Sequence, residues 1–137
     1  MIGMVIVTQG GLGVELRATL EHVMGRHQSQ LELVSIAGGP DIERDRAKLM
    51  AAVERVDTGD GAVILTEMPE GPASDLALSL VNGPKREVIA GVNLPILIKL
   101  ATIRGKCCSV AEAAIAAQES GRKHIRHYPE AVARFSS

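Results

Sequence analysis

The sequence predicts a three-layer α/β fold, with a mostly parallel sheet of four to five strands and helices on both faces. Two observations lead to this class. Short apolar runs alternate along the chain with amphipathic segments, as in right-handed βαβ units. The first run, Ile2 to Val7, shows no polar alternation, which is typical of a parallel strand covered on both faces. We therefore expect a single domain spanning residues 1–137.

The first strand is expected to end in a glycine turn that opens a helix. Gly10 and Gly11 let the backbone turn without a steric penalty, and Gly25 offers a C-terminal stop. Apolar residues that recur at helical spacing should face the sheet: Leu12, Leu16, Leu20 and Val23. The unpaired N–H groups of such a helix start attract anions, phosphate above all. Gln9 would face that spot.

Further strands are predicted at residues 31–36, 62–65 and 87–92, each an apolar run beside turn residues. Between the second and third strands, Asp41 should cap a helix. The apolar positions of this helix are expected to face the sheet: Ile42, Leu49, Val53 and Val56.

The remaining helices are predicted from local signals. A short helix should run from about Ser74 to Val81, and Pro95 should pre-set the first turn of the next helix. Ser109 and Glu112 form a capping box, so a final helix should cover residues 110–121. The tail that follows fits a short strand or a further helix.

Composition excludes several functional classes. The net charge of −1 argues against nucleic acid or an anionic membrane as the main partner, and two aromatic residues, Tyr128 and Phe135, offer no platform for stacking bases. The adjacent Cys107 and Cys108 match neither a common zinc site nor a redox pair, and we expect no metal ion and no cofactor. Without a signal peptide or a membrane-spanning run, a soluble cytoplasmic protein that does not insert into membranes is expected.

Topology predicts where a site should lie. In parallel sheets, ligands bind beyond the carboxyl ends of the strands, where the strand order reverses. With the first strand in the centre, the site falls between residues 8–11 and the pair Thr66 and Glu67. The glycine cluster forms neither a complete GxGxxG nor a phosphate-binding GxxxxGK[ST] loop, so a purely structural turn is an equally good interpretation.

Three segments carry a resemblance to a known family: MIGMVIVTQGGLGVEL, the loop beginning LTEMPEGPASDLALSL, and EVIAGVNLPILIKLA. They resemble the IIA component of the mannose/fructose/sorbose family of the bacterial sugar phosphotransferase system, of the kind found in proteobacteria, over nearly the whole chain. The resemblance implies this α/β fold, an HPr-like phosphocarrier and IIB/IIC components as partners, and a homodimer in which the C-terminal segment reaches the partner subunit.

The resemblance also assigns roles to residues at the predicted site. In the family, the first strand ends in Thr-His-Gly, and the histidine passes a phosphoryl group from HPr to IIB; the matching residue here is Gln9. Glu67 stands where the family has an aspartate that orients the imidazole. The other pocket residues expected by position are Thr8, Gly10, Gly11, Met68, Glu70, Gly71, Pro72 and Ser74.

The departures from the family pattern fall at the chemical site. An amide nitrogen has delocalised its lone pair, so Gln9 cannot accept a phosphoryl group as an imidazole does. Glu67 and Glu70 add negative charge where the phosphoryl group would dock, and Pro72 lacks an N–H that a phosphate-binding loop would use. The scaffold is kept while its chemistry is lost.

The sequence therefore favours a IIA-like regulatory or binding module that does not carry phosphate, in which Glu67 or Glu70 imitates the phosphorylated state. Two alternatives remain open. An active phosphocarrier would use another acceptor, such as His124 or His127 from a neighbouring subunit. A small-molecule sensor would use the vacated pocket.

Overall fold

The structure, a computed structural model, describes residues 1–83, 85–106 and 108–129. Within these residues, four strands form a sheet in the order β2-β1-β3-β4, and each neighbouring pair is parallel. The strands are β1 (Gly3–Gln9), β2 (Leu31–Ile36), β3 (Ala62–Thr66) and β4 (Arg86–Ala90). The predicted α/β class is confirmed, with β4 shifted slightly toward the amino terminus relative to the prediction.

Helices cover both faces of the sheet. The helices of the described residues are α1 (Leu12–Met24), α2 (Ile42–Val56), α3 (Pro72–Ser79), α4 (Leu94–Ile103) and α5 (Val110–Lys123). Side chains of β1 alternate between two cores: Met4 and Ile6 pack with α1, α4 and α5, whereas Val5 and Val7 pack with α2 and α3. This two-sided burial explains why the first strand shows no polar alternation.

The sheet-facing positions of α1 were predicted only in part. Leu20 is buried and Leu16 packs on the core, but Leu12 and Val23 are about half exposed. The reason is Gly13, which is buried against β1, so the contacting face of α1 starts one position after Leu12. Because glycine has no side chain, a pattern of apolar side chains does not reveal a glycine that packs at a helix–sheet contact.

Helix ends follow the sequence signals with three corrections. Gly25 ends α1 in the left-handed conformation, and Ser109 and Glu112 form the predicted capping box. Asp41 precedes α2 as predicted, but its side chain makes no cap hydrogen bond, and Ile42 is exposed because it lies in the first turn. The third helix begins at residue 72 rather than 74, and the fifth continues to residue 123.

Some predictions fall on positions outside the described residues: Cys107 and residues 130–137, which include Phe135 and the end of the ambiguous tail. The first part of that tail, residues 124–129, forms neither a strand nor a helix. Within the described ranges, none of the helices combines the length and the apolar character that crossing a bilayer requires.

Candidate functional site

The turn between β1 and α1 is fixed from two sides. The buried hydroxyl of Thr8 accepts the N–H of Gly13 at 3.3 Å, so it occupies one donor of the helix start. Gly10 adopts a φ of 69°, which favours glycine, and its carbonyl accepts the Ser35 hydroxyl at 2.8 Å. Thr8 therefore supports the turn from inside, and the exposed side chain at the end of β1 is that of Gln9.

Gln9 and Glu67, the two principal candidates from the sequence, are in direct contact. The backbone N–H of Gln9 donates to Glu67 Oε2 at 2.8 Å. The two residues leave the ends of β1 and β3, which are neighbours in the sheet. In the order β2-β1-β3-β4, this is the point where the chain reverses its direction of winding, and ligands bind at such points.

Buried hydroxyls hold the loop that follows β3. Thr66 Oγ1 lies 2.9 Å from Ser74 Oγ, and Ser74 also donates to the carbonyl of Met68. Both hydroxyl residues are fully buried, so Ser74, predicted as a pocket residue, closes the loop instead of lining an open site. The side chains of Met68 and Glu70 are exposed on the outside of this loop.

The start of α3 brings one further pocket candidate, Pro72, close to Gln9. Gly71 precedes the helix, and Pro72 is its first residue, a position where a missing N–H costs no helical hydrogen bond. A methyl group on Gly38, in the loop after β2, would lie 3.4 Å from Gln9 Nε2 and 3.7 Å from Pro72 Cγ. Gln9, Gly38 and Pro72 are therefore close neighbours at this edge, while Gly11 is exposed beside the turn.

A cleft of about 500 Å³ opens beside Gln9, on the β2 side of β1. Its charged lining comes from the first two turns of α2, in positions that lie on one face of the helix: Asp41, Arg44, Asp45 and Lys48. Arg44 and Lys48 are exposed, whereas Asp45 is 6% exposed and forms no ion pair within the part of the chain that the structure describes. We will call this the carboxyl-edge cleft.

Sequence reasoning assigned Asp41 only as a helix cap and missed Arg44, Asp45 and Lys48, because it considered only the apolar face of α2. A signal was present: acidic and basic residues recur at spacings of three and four, which places them on a common face. The sequence does not show that this face of α2 is oriented toward Gln9.

Among the hydrogen bonds and ion pairs of the described residues, none joins a histidine to Gln9 or Glu67. His22 is in the last turn of α1, and His27 follows that helix and contacts Glu21 at 2.8 Å, so both lie toward the amino edge of the sheet. His124 follows α5, and its Nδ1 lies 2.8 Å from the carbonyl of Ser120.

The arrangement limits the chemistry that is possible at this edge. The Gln9 amide donates and accepts hydrogen bonds but supplies no nucleophilic lone pair. Glu67 supplies a carboxylate whose Oε2 already accepts a backbone N–H. In the described residues, no three His, Cys, Asp or Glu side chains are grouped as a metal site requires.

The fold and the site define a class: a parallel α/β domain whose polar groups gather at the reversal point of its sheet. Residues 3–118 match the family model described as "EIIA-man: PTS system fructose IIA component". The chain belongs to this family.

Relatives agree with this assignment. The mannose-specific EIIAB component of the phosphotransferase system from Escherichia coli K12 is 29% identical over 126 residues, which cover 91% of this chain. The chain spans only 39% of the length of that relative.

Solved structures show the same fold. The EIIA component from Streptococcus agalactiae superimposes with a TM-score of 0.82 at 21% identity, covering 93% of this chain and 98% of the other. The mannose/sorbose-specific IIA subunit from Enterococcus faecalis gives a TM-score of 0.78 at 20% identity, covering 92% of this chain and 93% of the other.

Proposed function

We propose that this chain is a phosphotransfer-deficient IIA-like module that acts by binding an HPr-like phosphocarrier and a IIB component. One observation carries the proposal: Gln9, at the position of the family's acceptor histidine, donates its backbone N–H to Glu67 at 2.8 Å. The predicted acceptor and the predicted orienting carboxylate are thus neighbours, as a IIA site requires. The side chain between them is an amide and cannot form the phosphoryl bond. A cytoplasmic location is part of this proposal.

The surroundings of Gln9 also oppose an incoming phosphoryl group. The Glu67 carboxylate lies beside the place where the group would dock, and Glu70 is exposed on the same loop. Like charges in such proximity repel. Pro72 begins α3 without an N–H, so this helix start has one donor fewer for a phosphate oxygen.

The same carboxylate gives the module a permanent negative charge. Because Glu67 is held by the Gln9 N–H, its charge stays beside the acceptor position, where the phosphorylated family members would carry theirs. We propose that partners recognise this charge as a constant imitation of the phosphorylated state.

Glu67→Gln tests the imitation, because it keeps an oxygen that accepts the Gln9 N–H and removes the charge. Affinity for a mannose-family IIB protein, measured by calorimetry, is expected to fall roughly tenfold, the loss of about one charge–charge contact. Glu70→Gln, the same change on the exposed loop, is the matched control and should have a smaller effect. Equal affinities for all three proteins would contradict the imitation.

The carboxyl-edge cleft favours a second candidate, a small-molecule sensor. Its volume of about 500 Å³ lies in the range of ligand pockets, and the Gln9 amide, Arg44 and Lys48 offer hydrogen bonds and positive charge. Thermal-shift screening with sugar phosphates and nucleotides separates this function from pure partner binding. A ligand that stabilises the chain but not its Gln9→Ala variant would favour the sensor.

The rival phosphocarrier requires an acceptor other than Gln9, such as His124 or His127 from a second subunit. Replacing His124 and His127 by glutamine, singly and together, tests this alternative. Phosphorylation that is present in the unmodified chain and lost in one of these variants would support it.

We also propose that the module is a homodimer formed at β4. In the described residues, β4 pairs with β3 on one edge, and its other edge opens onto a groove of about 410 Å³ beside α5. An unpaired edge offers backbone groups to a second chain. Two large apolar side chains border this groove, Ile115 at 57% and Ile125 at 74% exposed, and burying them in a second copy is favourable.

Light scattering of the chain in solution tests the dimer. The double variant Ile115→Lys and Ile125→Lys is expected to be monomeric, because it places two charges in the groove. Leu78→Lys, an equally exposed apolar residue on α3, is the matched control and should leave the mass unchanged. A monomeric unmodified chain would contradict this part of the proposal.

A further inference from the structure

A second cleft, of about 360 Å³, lies at the opposite edge of the sheet. It opens between the segment that follows α1 and the end of α4, and we will call it the amino-edge cleft. Its charge comes from Arg26, Arg104 and Lys106, and no carboxylate is among its described lining residues.

Arg104 forms the fixed floor of this cleft. Its side chain is only 3% exposed, and its guanidinium donates to the carbonyls of Ile2, Ser29 and Gln30 and to Gln28 Oε1, at 3.2 Å for the last. All four acceptors are neutral. Across the described ranges, Arg104 has no carboxylate partner, so its positive charge is hydrogen-bonded but not balanced by an opposite charge.

Arg26 and Lys106 stand at the mouth of the cleft. Both are exposed, and neither forms an ion pair with another described residue. Burial, together with a smaller contribution from the charge of Arg26, lowers the pKa of Arg104 to about 10, so these two cations lie within each other's field.

The acidic groups near the cleft are already engaged. Asp60 pairs at 2.9 Å with the amino group of Met1, which also lines the cleft. Glu21 accepts the backbone N–H of Gln28 at 2.7 Å and forms an ion pair with none of the three cations. The two exposed cations therefore stand at the mouth of one concave site, above the buried charge of Arg104, and an anion from solution would interact with all three charges.

We propose that the amino-edge cleft binds a small phosphate-bearing anion that carries at least two negative charges. Arginine guanidinium and lysine ammonium groups are the side chains that bind phosphate oxygens most strongly. Three cations favour a multiply charged group over a single carboxylate. The described lining of the cleft contains no Phe, Tyr or Trp side chain to stack a base, so recognition is directed to the phosphate. This inference is independent of the proposed function at Gln9.

Calorimetry with inorganic pyrophosphate at constant ionic strength tests the proposal on the full chain. Pyrophosphate should bind, and the double variant Arg26→Gln and Lys106→Gln should weaken binding by about tenfold or more, because it removes two charge-assisted contacts. Both residues are exposed, so the variant is expected to fold. The double variant Arg44→Gln and Lys48→Gln removes the same charge from the carboxyl-edge cleft and should change the affinity by less than about twofold.

Three results would overturn the proposal: no binding by the unmodified chain, equal weakening by both double variants, or weakening by the carboxyl-edge variant alone. Amide chemical shifts give a second readout that needs no variant. Pyrophosphate should move the resonances of residues 26–30 and 104–106, and movement at residues 9–11 in their place would put the anion in the other cleft.

Discussion

The two edges of the sheet use their polar groups differently. At the amino edge, Arg104 points inward and joins the start of β1, the segment before β2 and the end of α4 through its hydrogen bonds. At the carboxyl edge, Gln9 and the α2 face with Asp45 turn toward a cleft, and the hydrogen bonds there close loops. The polar groups of the amino edge therefore join distant parts of the chain through Arg104, whereas those of the carboxyl edge line a cleft beside Gln9.

The two clefts also differ in the balance of their charges. Asp41 and Asp45 balance Arg44 and Lys48 at the carboxyl edge, whereas the described lining of the amino-edge cleft is cationic alone. A cleft whose positive and negative charges balance favours partners or ligands that are recognised by hydrogen bonds. A cleft with an excess of positive charge favours an anion. We expect the two edges to differ also in how much their residues contribute to the free energy of unfolding.

Arg104→Met should give the largest loss of stability. It leaves the carbonyls and the amide oxygen that Arg104 holds without a donor in a buried region, which costs roughly 3–5 kcal/mol in the free energy of unfolding. Urea unfolding measures this change. Arg44→Met, the same substitution at the exposed carboxyl-edge cleft, should stay within about 0.5 kcal/mol. Similar losses at both positions would remove the distinction between the two edges.

Ser74→Ala should have an intermediate effect. It removes the buried hydroxyl that joins Thr66 to the carbonyl of Met68, but Thr66 Oγ1 lies 3.3 Å from that carbonyl and can still donate to it. We expect a loss of about 1–2 kcal/mol by urea unfolding. Ser79→Ala, an exposed serine on the same helix, should cost less. A loss as large as that of Arg104→Met would mean that the carboxyl edge is equally important for stability.

Glu21→Gln should have the smallest effect, and that effect should depend on pH. The N–H of Gln28, with smaller contributions from Arg17 and His27, lowers the pKa of Glu21 against the opposing effect of burial. A carboxyl whose pKa is lowered by folding adds stability above its unfolded pKa, and this stability is lost as the pH falls through the folded value. The variant should therefore have a lower urea midpoint than the unmodified chain at neutral pH. At about pH 2 the two should coincide, and a constant difference at every pH would refute this linkage.

The sequence was sufficient for the order of the elements and for the contact between Gln9 and Glu67. Apolar runs located β2 to the residue, the capping box located the start of α5, and topology placed Gln9 beside Glu67. These features are set by local physics or by the rule for parallel sheets.

The sequence was insufficient wherever a long-range contact decides the role of a residue. Gly13 has no side chain to reveal its burial, and the charged face of α2 has no local reason to turn toward Gln9. In the sequence, nothing distinguishes Arg104 from an exposed basic residue, because its hydrogen-bond acceptors lie more than 70 positions away along the chain. The contacts between Pro72, Gly38 and Gln9 depend on packing for the same reason.

The most direct test of the central claim is the transfer of phosphate from phosphorylated HPr, followed by intact-mass spectrometry. The unmodified chain should gain no phosphate. Gln9→His alone should gain little, and Gln9→His with Glu67→Asp and a Gly-Gly-Thr-Pro sequence over residues 70–73 should gain much more, because the proposed acceptor position and its surroundings then both carry the residues that the family resemblance implies. A phosphorylated unmodified chain would contradict the account, and full activity from Gln9→His alone would show that the pocket was never impaired.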